Sequence, residues 1–362
     1  MPTSFLSHAD AALRNRNAIL HFVKQNGPVS RTDIWERMGI SRASVTQVIR
    51  QLQEANLILE EGEGDSTGGR KPRFLKFNGA AKKLFAFDWS SRTLALIDLD
   101  SNILFDQKIP DAMTADPIPF FSFLNEQIDQ IFAMQLCPEE EIMGLSISLP
   151  GLIDHKNLTV LHSAETGWKN VRLNDYFSDR FGENIFLERI TNTLALGAYH
   201  QLFSASIDHF QLMILGRDGI GVSTVVCGHC RHGASYMHGE LGHVKLPASD
   251  ILCSCGQCGC LEAVIRDVVQ KNGGKLCDEA LALLSIAVST SVNLSDPSAV
   301  ILVGSYVDQM TEEQKARLIS LSLEKVTGEH FREFEIRYAD DVKQLAFHGL
   351  AVYAFDQYFS ID

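Results

Sequence analysis

Hydrophobic positions over the first 80 residues recur at helical spacing and then contract into short strand-like runs. Ala11, Leu13, Ala18, Ile19, Phe22 and Val23 predict an amphipathic helix that begins at Asp10 and stops at Asn26-Gly27-Pro28. Ser30 caps a second helix over Arg31–Met38, with Ile34, Trp35 and Met38 as its buried candidates, and Gly39-Ile40-Ser41 makes a tight turn. Ser41 caps a third helix that runs to about Ala55. Val45, Val48, Ile49 and Leu52 share one face of it, which leaves Arg42, Ala43, Thr46, Gln47 and Arg50 on the other and Ser44 at the border. Leu57-Ile58-Leu59 and Phe74-Leu75-Lys76-Phe77 read as two strands, joined by a polar turn that ends in Gly68-Gly69-Arg70-Lys71-Pro72-Arg73.

That pattern predicts a winged helix-turn-helix over residues 1–78. The short, polar and basic face of the third helix suits a DNA major groove, where Arg42, Thr46, Gln47 and Arg50 are placed to read base edges and Ser44 is a further DNA-binding candidate. Arg70, Lys71 and Arg73 supply cations in the wing that reach phosphates or a minor groove. The expected partner is a double-stranded DNA operator.

Composition refines this picture. The chain has 362 residues, 45% of them apolar, enough for two or more domains. A net charge of −13 argues against nucleic acid until its placement is considered. Residues 1–80 hold 11 Lys/Arg against 8 Asp/Glu, a net +3, so the remainder carries −16. A basic head on an acidic body confines DNA contact to the head. The start has no basic segment followed by an apolar core, and the longest apolar run, 280–292, is short and broken by serines. The sequence therefore predicts a cytoplasmic protein with no membrane partner. Five of the eight cysteines fall between Cys230 and Cys260, which in a reducing compartment reads as metal binding before disulfide formation.

After Asn78 the chain reads Leu84-Phe85-Ala86-Phe87-Asp88, a turn, then Thr93-Leu94-Ala95-Leu96-Ile97-Asp98. Further on stand a Gly144 to Gly151 segment ending in Pro150-Gly151, then Glu240-Leu241-Gly242-His243. The run Cys253-Ser254-Cys255-Gly256-Gln257-Cys258-Gly259-Cys260-Leu261-Glu262 follows, and last a strand-like segment from Pro297 to Gly304. At these residues the sequence resembles the ROK family of repressors and sugar kinases, over essentially the whole chain. The basic wing ahead of the body resembles the repressor branch.

The resemblance implies an α/β fold: a two-lobed actin-like ATPase (ROK/sugar-kinase-like) domain over 79–362. One lobe would span about 79–188 with a C-terminal helix at 343–360, the other 189–342, and the chain would form homodimers or tetramers. It also implies about one structural Zn2+ per chain on His243, Cys253, Cys255 and Cys260, a Cys₃His set with no position left for water. Cys258 is then an extra thiol. Cys227-Gly228-His229-Cys230-Arg231-His232 mimics a further metal or redox motif, but in the family pattern it is a hairpin turn. Gly151, Glu240, His243 and Glu262 match positions around a bound sugar. Arg189 stands where the family has an Asn, and Ala164 replaces another sugar-binding Asn, so the effector is either an unusual sugar, such as an anionic or phosphorylated one, or nothing at all. Glu240 and Glu262 could instead serve only to brace the metal loop.

Three departures from the kinase pattern predict a protein that is not an enzyme. The turn Asp88-Trp89-Ser90-Ser91-Arg92-Thr93 lacks the glycines that bring backbone N–H groups to phosphates. In Glu188-Arg189-Ile190-Thr191-Asn192, Ile190 replaces the Asp that takes the sugar proton. The late glycine pair is reduced to Gly304-Ser305. The expected function is a sugar-responsive transcriptional repressor. The competing readings are a ligand-independent DNA-binding protein with a scaffold body and an active sugar kinase.

Overall fold

The computed structural model describes residues 8–63, 73–111, 116–203, 207–247, 249–339 and 341–361. The head comprises α1 (His8–Asn26), β1 (Val29–Ser30), α2 (Arg31–Met38), α3 (Arg42–Glu54), β2 (Ile58–Glu63) and β3 (Arg73–Phe77). Its three helices pack on a sheet of order β1-β3-β2. The local chemistry predicted for its helix ends is present. Ser30 Oγ accepts the Asp33 N–H at 3.2 Å while the Asp33 carboxylate accepts the Ser30 N–H at 2.8 Å, a capping box that starts α2. Gly39 ends that helix at φ +67°. The wing tip, with Arg70 and Lys71, lies outside the described residues.

One expectation for α1 fails. Leu13 is 55% exposed, whereas Asn17, Leu20, His21 and Lys24 turn toward the body. Asn17 Nδ2 donates to the Ser360 carbonyl at 2.8 Å, His21 Nε2 lies 2.9 Å from the Phe359 carbonyl, and the Lys24 ammonium sits 4.1 Å above the Phe355 ring. Burial draws the Lys24 ammonium below its usual range against the pull of Asp356, Asp100 and Asp98. α1 thus has two packed faces, one on the head and one on the last helix of the chain.

The first lobe contains β4 (Lys83–Asp88), β5 (Thr93–Asp98), β6 (Ile103–Lys108), α4 (Pro117–Ala133), β7 (Ile142–Leu149), β8 (Leu152–Asp154), β9 (Thr159–His162), β10 (Lys169–Arg172), α5 (Asn174–Phe181) and β11 (Ile185–Arg189). Its main sheet runs β11-β7-β4-β5-β6, with β4, β7 and β11 parallel and β4-β5-β6 an antiparallel meander. The second lobe contains α6 (Ile190–Phe203), β12 (His209–Leu215), β13 (Ile220–Val226), β14 (His229–Cys230), α7 (Leu261–Lys271), α8 (Asp278–Ser295), β15 (Ala299–Val303), α9 (Glu312–Leu323) and β16 (Glu335–Tyr338). Its sheet, β14-β13-β12-β15-β16, repeats the pairing of the first: an antiparallel meander, then two parallel strands.

The last helix, α10 (Val342–Tyr358), packs on β4 and β7 of the first lobe and crosses α6, which packs on β12 and β13 of the second. The crossing needs glycine on both helices. A Cβ on Gly197 would lie 1.9 Å from the Leu345 carbonyl oxygen, and one on Gly349 1.7 Å from that of Thr193. The apolar run at 280–292 is buried inside α8, and among the described residues no helix is long and apolar enough to cross a membrane.

Candidate functional site

On α3 the Ser41 hydroxyl accepts the Ser44 N–H at 3.1 Å and caps the helix. Val45, Val48, Ile49 and Leu52 are buried, and Arg42, Thr46, Gln47 and Arg50 line a shallow exposed surface with Ala43 and Gln51. The Arg42 guanidinium stacks 4.3 Å from the Trp35 ring centroid, Thr46 Oγ1 donates to the Arg42 carbonyl at 2.8 Å, and Arg50 pairs with Glu54. Ser44, at the border of the two faces, is half-buried, and its Oγ lies 2.9 Å from Ser41 Oγ, inside the cap. Arg73 pairs with Glu60 at the base of the wing, where Arg31 also binds the same carboxylate. The Arg73 hydrogen bond, with help from Arg31 and Gln53, holds the Glu60 carboxyl below its ordinary range despite partial desolvation.

The four residues of the implied Cys₃His set come together in the fold. His243 ends a short 3-10 turn at Leu241–His243, Cys253 and Cys255 follow on a loop, and Cys260 stands directly before α7. The four ligand atoms lie within 4.8 Å of one another. Cys253 Sγ is 3.7 Å from His243 Nδ1, and the Sγ atoms of Cys255 and Cys260 are 3.6 Å apart. Zinc–sulfur bonds of about 2.3 Å imply tetrahedral edges of roughly 3.8 Å, so these donors fit a zinc ion. Gly259, at φ +76°, permits the closure: a Cβ there would lie 3.0 Å from the Ser249 carbonyl. Cys258 is exposed and outside the donor set. Cys227 and Cys230 flank the hairpin between β13 and β14. Cys227 is exposed, while the Cys230 thiol faces Ser223 and the Asn192 carbonyl, and burial pushes its pKa up.

Between the lobes, the carbohydrate-matching residues form a continuous polar chain. Arg189 Nη2 donates to Glu240 Oε1 at 2.7 Å, Glu240 Oε2 lies 3.7 Å from His243 Nε2, and His243 Nδ1 lies 3.8 Å from Glu262 Oε1. Glu262 is buried and accepts from Cys253 Sγ and the Ile220 N–H, so it braces the metal loop directly. Arg189 is already committed: Nη1 donates to the Tyr236 and His238 carbonyls at 3.3 and 3.1 Å. Leu149 pairs with Arg189 in the parallel register of β7 and β11, which puts Gly151 just beyond the same strand ends. Its φ of +108° and the 2.4 Å separation from His162 O to a built Cβ require glycine.

Around the phosphate turn the chain satisfies its own donors. Asp88, fully buried, accepts from Ser90 Oγ at 2.7 Å, the Ser91 N–H at 2.8 Å and Ser148 Oγ at 2.9 Å. Glu165 Oε1 accepts from Trp89 Nε1 at 2.6 Å and Arg92 Nη2 at 3.1 Å. Glu165 was not among the predicted site residues, and its only sequence signal was a carboxylate in a segment matched to the sugar cleft. A cavity of about 450 Å³ beside it is lined by Ala164, Glu165, Arg217, Ser254, Arg266 and Tyr306.

The architecture is that of a winged helix carried on a bilobal sugar-kinase-like body. Residues 14–60 match the MarR family and residues 90–269 the ROK family, so the chain carries a ROK family domain behind a MarR-type winged helix. The xylose repressor of Bacillus spizizenii is 28% identical over 251 residues, 68% of this chain and 64% of that protein, so the match spans less than two thirds of the relative's length. A ROK family transcriptional regulator described as a homologue of the E. coli MLC protein superposes with a TM-score of 0.78 at 21% identity, covering 97% of this chain and 98% of its own. The ROK hexokinase of Thermus thermophilus matches with a TM-score of 0.62 at 19% identity, covering 76% of this chain and 98% of its own.

Proposed function

We propose that this protein is a sugar-responsive, DNA-binding transcriptional repressor whose body binds its effector without phosphorylating it. The observation that carries the reading is the pairing of an exposed basic reading face on α3 with an interlobe cleft whose phosphate turn is closed by Glu165. A nucleotide phosphate brought to that turn meets a carboxylate, and the Ser90 and Ser91 N–H groups already point to Asp88. Ile190 offers no base. A coupled ADP-release assay across pentoses, hexoses and amino sugars is expected to show no sugar-dependent turnover. A rate on the order of 10 per second would overturn this part of the reading.

On the DNA, α3 reads one half of a pseudo-palindromic operator and a dimer supplies the second helix. Arg42, Thr46, Gln47 and Arg50 face the bases, Ser44 supports them from the cap, and Arg70, Lys71 and Arg73 hold the backbone. Gln47→Ala is expected to cost about 1–3 kcal/mol on the preferred operator and to relax the preference at one base pair. Arg70→Ala should weaken all sequences alike and reduce the salt slope by about one unit. Binding titrations on an operator library at several salt concentrations check both, and equal, sequence-independent losses would refute the division of roles.

In the cleft, Gly151, Arg189, Glu240, His243 and Glu262 form the effector site, and zinc on His243, Cys253, Cys255 and Cys260 holds its floor. When bound, zinc supplies a structural crosslink and no open coordination position. A second reading has a specific observation behind it: Arg189 pairs with Glu240 and donates to the Tyr236 and His238 carbonyls, as expected if the body binds no sugar and serves as a scaffold. A thermal-shift panel of neutral sugars, sugar acids and sugar phosphates separates the two. A ligand present at 100 times its Kd adds about 2.7 kcal/mol to stability, and a flat panel supports the scaffold.

A further inference from the structure

Away from the thiolate loop, three side chains from separate segments converge on one point. His155 follows β8, Glu188 lies near the end of β11 and His232 follows β14, and their ligand atoms all lie within 4.8 Å of one another. His155 Nε2 is 3.1 Å from Glu188 Oε1, and His232 Nε2 is 2.8 Å from Oε2. The two imidazoles stand edge to face with centroids 4.4 Å apart.

Two features distinguish this cluster from an ordinary buried ion pair. Glu188 is completely buried, and its Oε1 is oriented by the Arg189 N–H at 2.7 Å and Asn192 Nδ2 at 2.9 Å, the kind of outer hydrogen bonding that aims a ligating carboxylate. His155 Nε2 is shielded from solvent, and although close to Glu188 it is off line and makes no hydrogen bond. A buried ring nitrogen without a partner is costly, and a cation between the three donors would satisfy it. Bonds of about 2.1 Å to nitrogen and oxygen give tetrahedral edges of roughly 3.4 Å, close to the separations seen.

We propose that His155, Glu188 and His232 form a second metal site, one that takes a divalent transition ion of the zinc type and clamps the two lobes together. Two imidazoles and one carboxylate are borderline and hard donors, suited to zinc, cobalt, nickel or ferrous ions. They leave at least one coordination position for water or another oxygen, in contrast to the closed thiolate set. His155 and Glu188 come from the first lobe and His232 from the second, so the ion fixes the lobes against each other. The nearest fixed cation, the Arg189 guanidinium, is directed to Glu240 and to the Tyr236 and His238 carbonyls.

The test is cobalt(II) chloride titration of metal-stripped full-length protein, followed by absorbance. Two equivalents are expected per chain. One carries the near-ultraviolet thiolate-to-cobalt charge-transfer band, and the other shows only weak visible bands from nitrogen and oxygen ligands. Because changes in outer-shell partners alone lower metal affinity by about 10–100-fold, His155→Gln and His232→Ala should each weaken the second equivalent by at least about 100-fold. Both variants should leave the charge-transfer band intact. A second equivalent unaffected by either variant overturns the proposal. So does a wild type that saturates at one cobalt carrying the thiolate band, whatever the variants do. If a variant disturbs the thiolate band as well, the wild-type stoichiometry decides.

Discussion

Cys260→Ser is expected to lower the zinc content by one equivalent per chain and the melting temperature of the body by about 10–20 °C. Cys260 is fully buried, directly precedes α7 and bridges in backbone register to Lys245, so its thiolate ties the loop after His243 to the helix that carries Glu262. Structural zinc in small loops has an apparent binding free energy of roughly 10–16 kcal/mol, and that binding energy is folding energy for the loop. A loss of about 6–12 kcal/mol gives the stated shift for a body of this size. Glu240 and Glu262 both contact His243, and Glu262 also meets Cys253, so effector affinity should fall with the metal. Elemental analysis, calorimetry and the sugar panel on both proteins check this. A wild type that holds no metal and melts at the same temperature as Cys260→Ser would remove zinc from the account.

Phe355→Ala is expected to separate the head from the body. Phe355 is 1% exposed and packs edge-on against His21 and Phe77 of the head and tilted against Phe359, with Lys24 over its face. Head residues Ile19, Leu20 and Val23 share one core with Phe347, Leu350 and Phe355 of α10 and with Ala86 and Ile97 of the first-lobe sheet. Truncating a buried Phe costs about 3–5 kcal/mol, and here much of that cost falls on the joint. The head should then melt in a separate transition and be released by limited proteolysis, with operator affinity of the isolated half-site nearly unchanged. The same joint offers a contiguous path from cleft to head: α6 begins beside Arg189, crosses α10 at Gly197 and Gly349, and Phe355 of α10 bears on α1. Effector coupling, ordinarily about 5–150-fold in affinity, should collapse toward unity in Phe355→Ala. Coupling that survives the substitution would place the route elsewhere, since spatial intermediacy alone does not establish it.

Much of the head was legible because its signals are local. Ser30, Gly39 and Ser41 set helix ends through hydrogen bonds that span three or four residues, and the face of α3 follows from 3.6-residue periodicity. The second packed face of α1 was not legible. Asn17, His21 and Lys24 are polar at helical spacing and look solvent-facing; they are buried by residues 355–360, whose arrival no local pattern announces. Leu13, apolar and in phase, is exposed for the complementary reason: among the described residues nothing covers that turn.

The sequence by itself determined where the thiolate loop lies, because four cysteines within eight residues and a histidine ten residues upstream stand close along the chain; the resemblance implied which of them meet, and the fold set Cys258 apart from His243, Cys253, Cys255 and Cys260. It also carried Ser90-Ser91 and Ile190 where the resemblance leads one to expect glycines and a carboxylate, which are matters of residue identity. Only the tertiary structure decided what occupies the space they vacated. Glu165 reaches Trp89 across 76 residues, Arg189 reaches Glu240 across 51, and His155, Glu188 and His232 meet from three strand ends in two lobes. Contacts of that kind depend on how two similar sheets and the α6–α10 crossing are set against each other. That geometry is fixed by the packing of the whole chain and leaves no periodic trace along it.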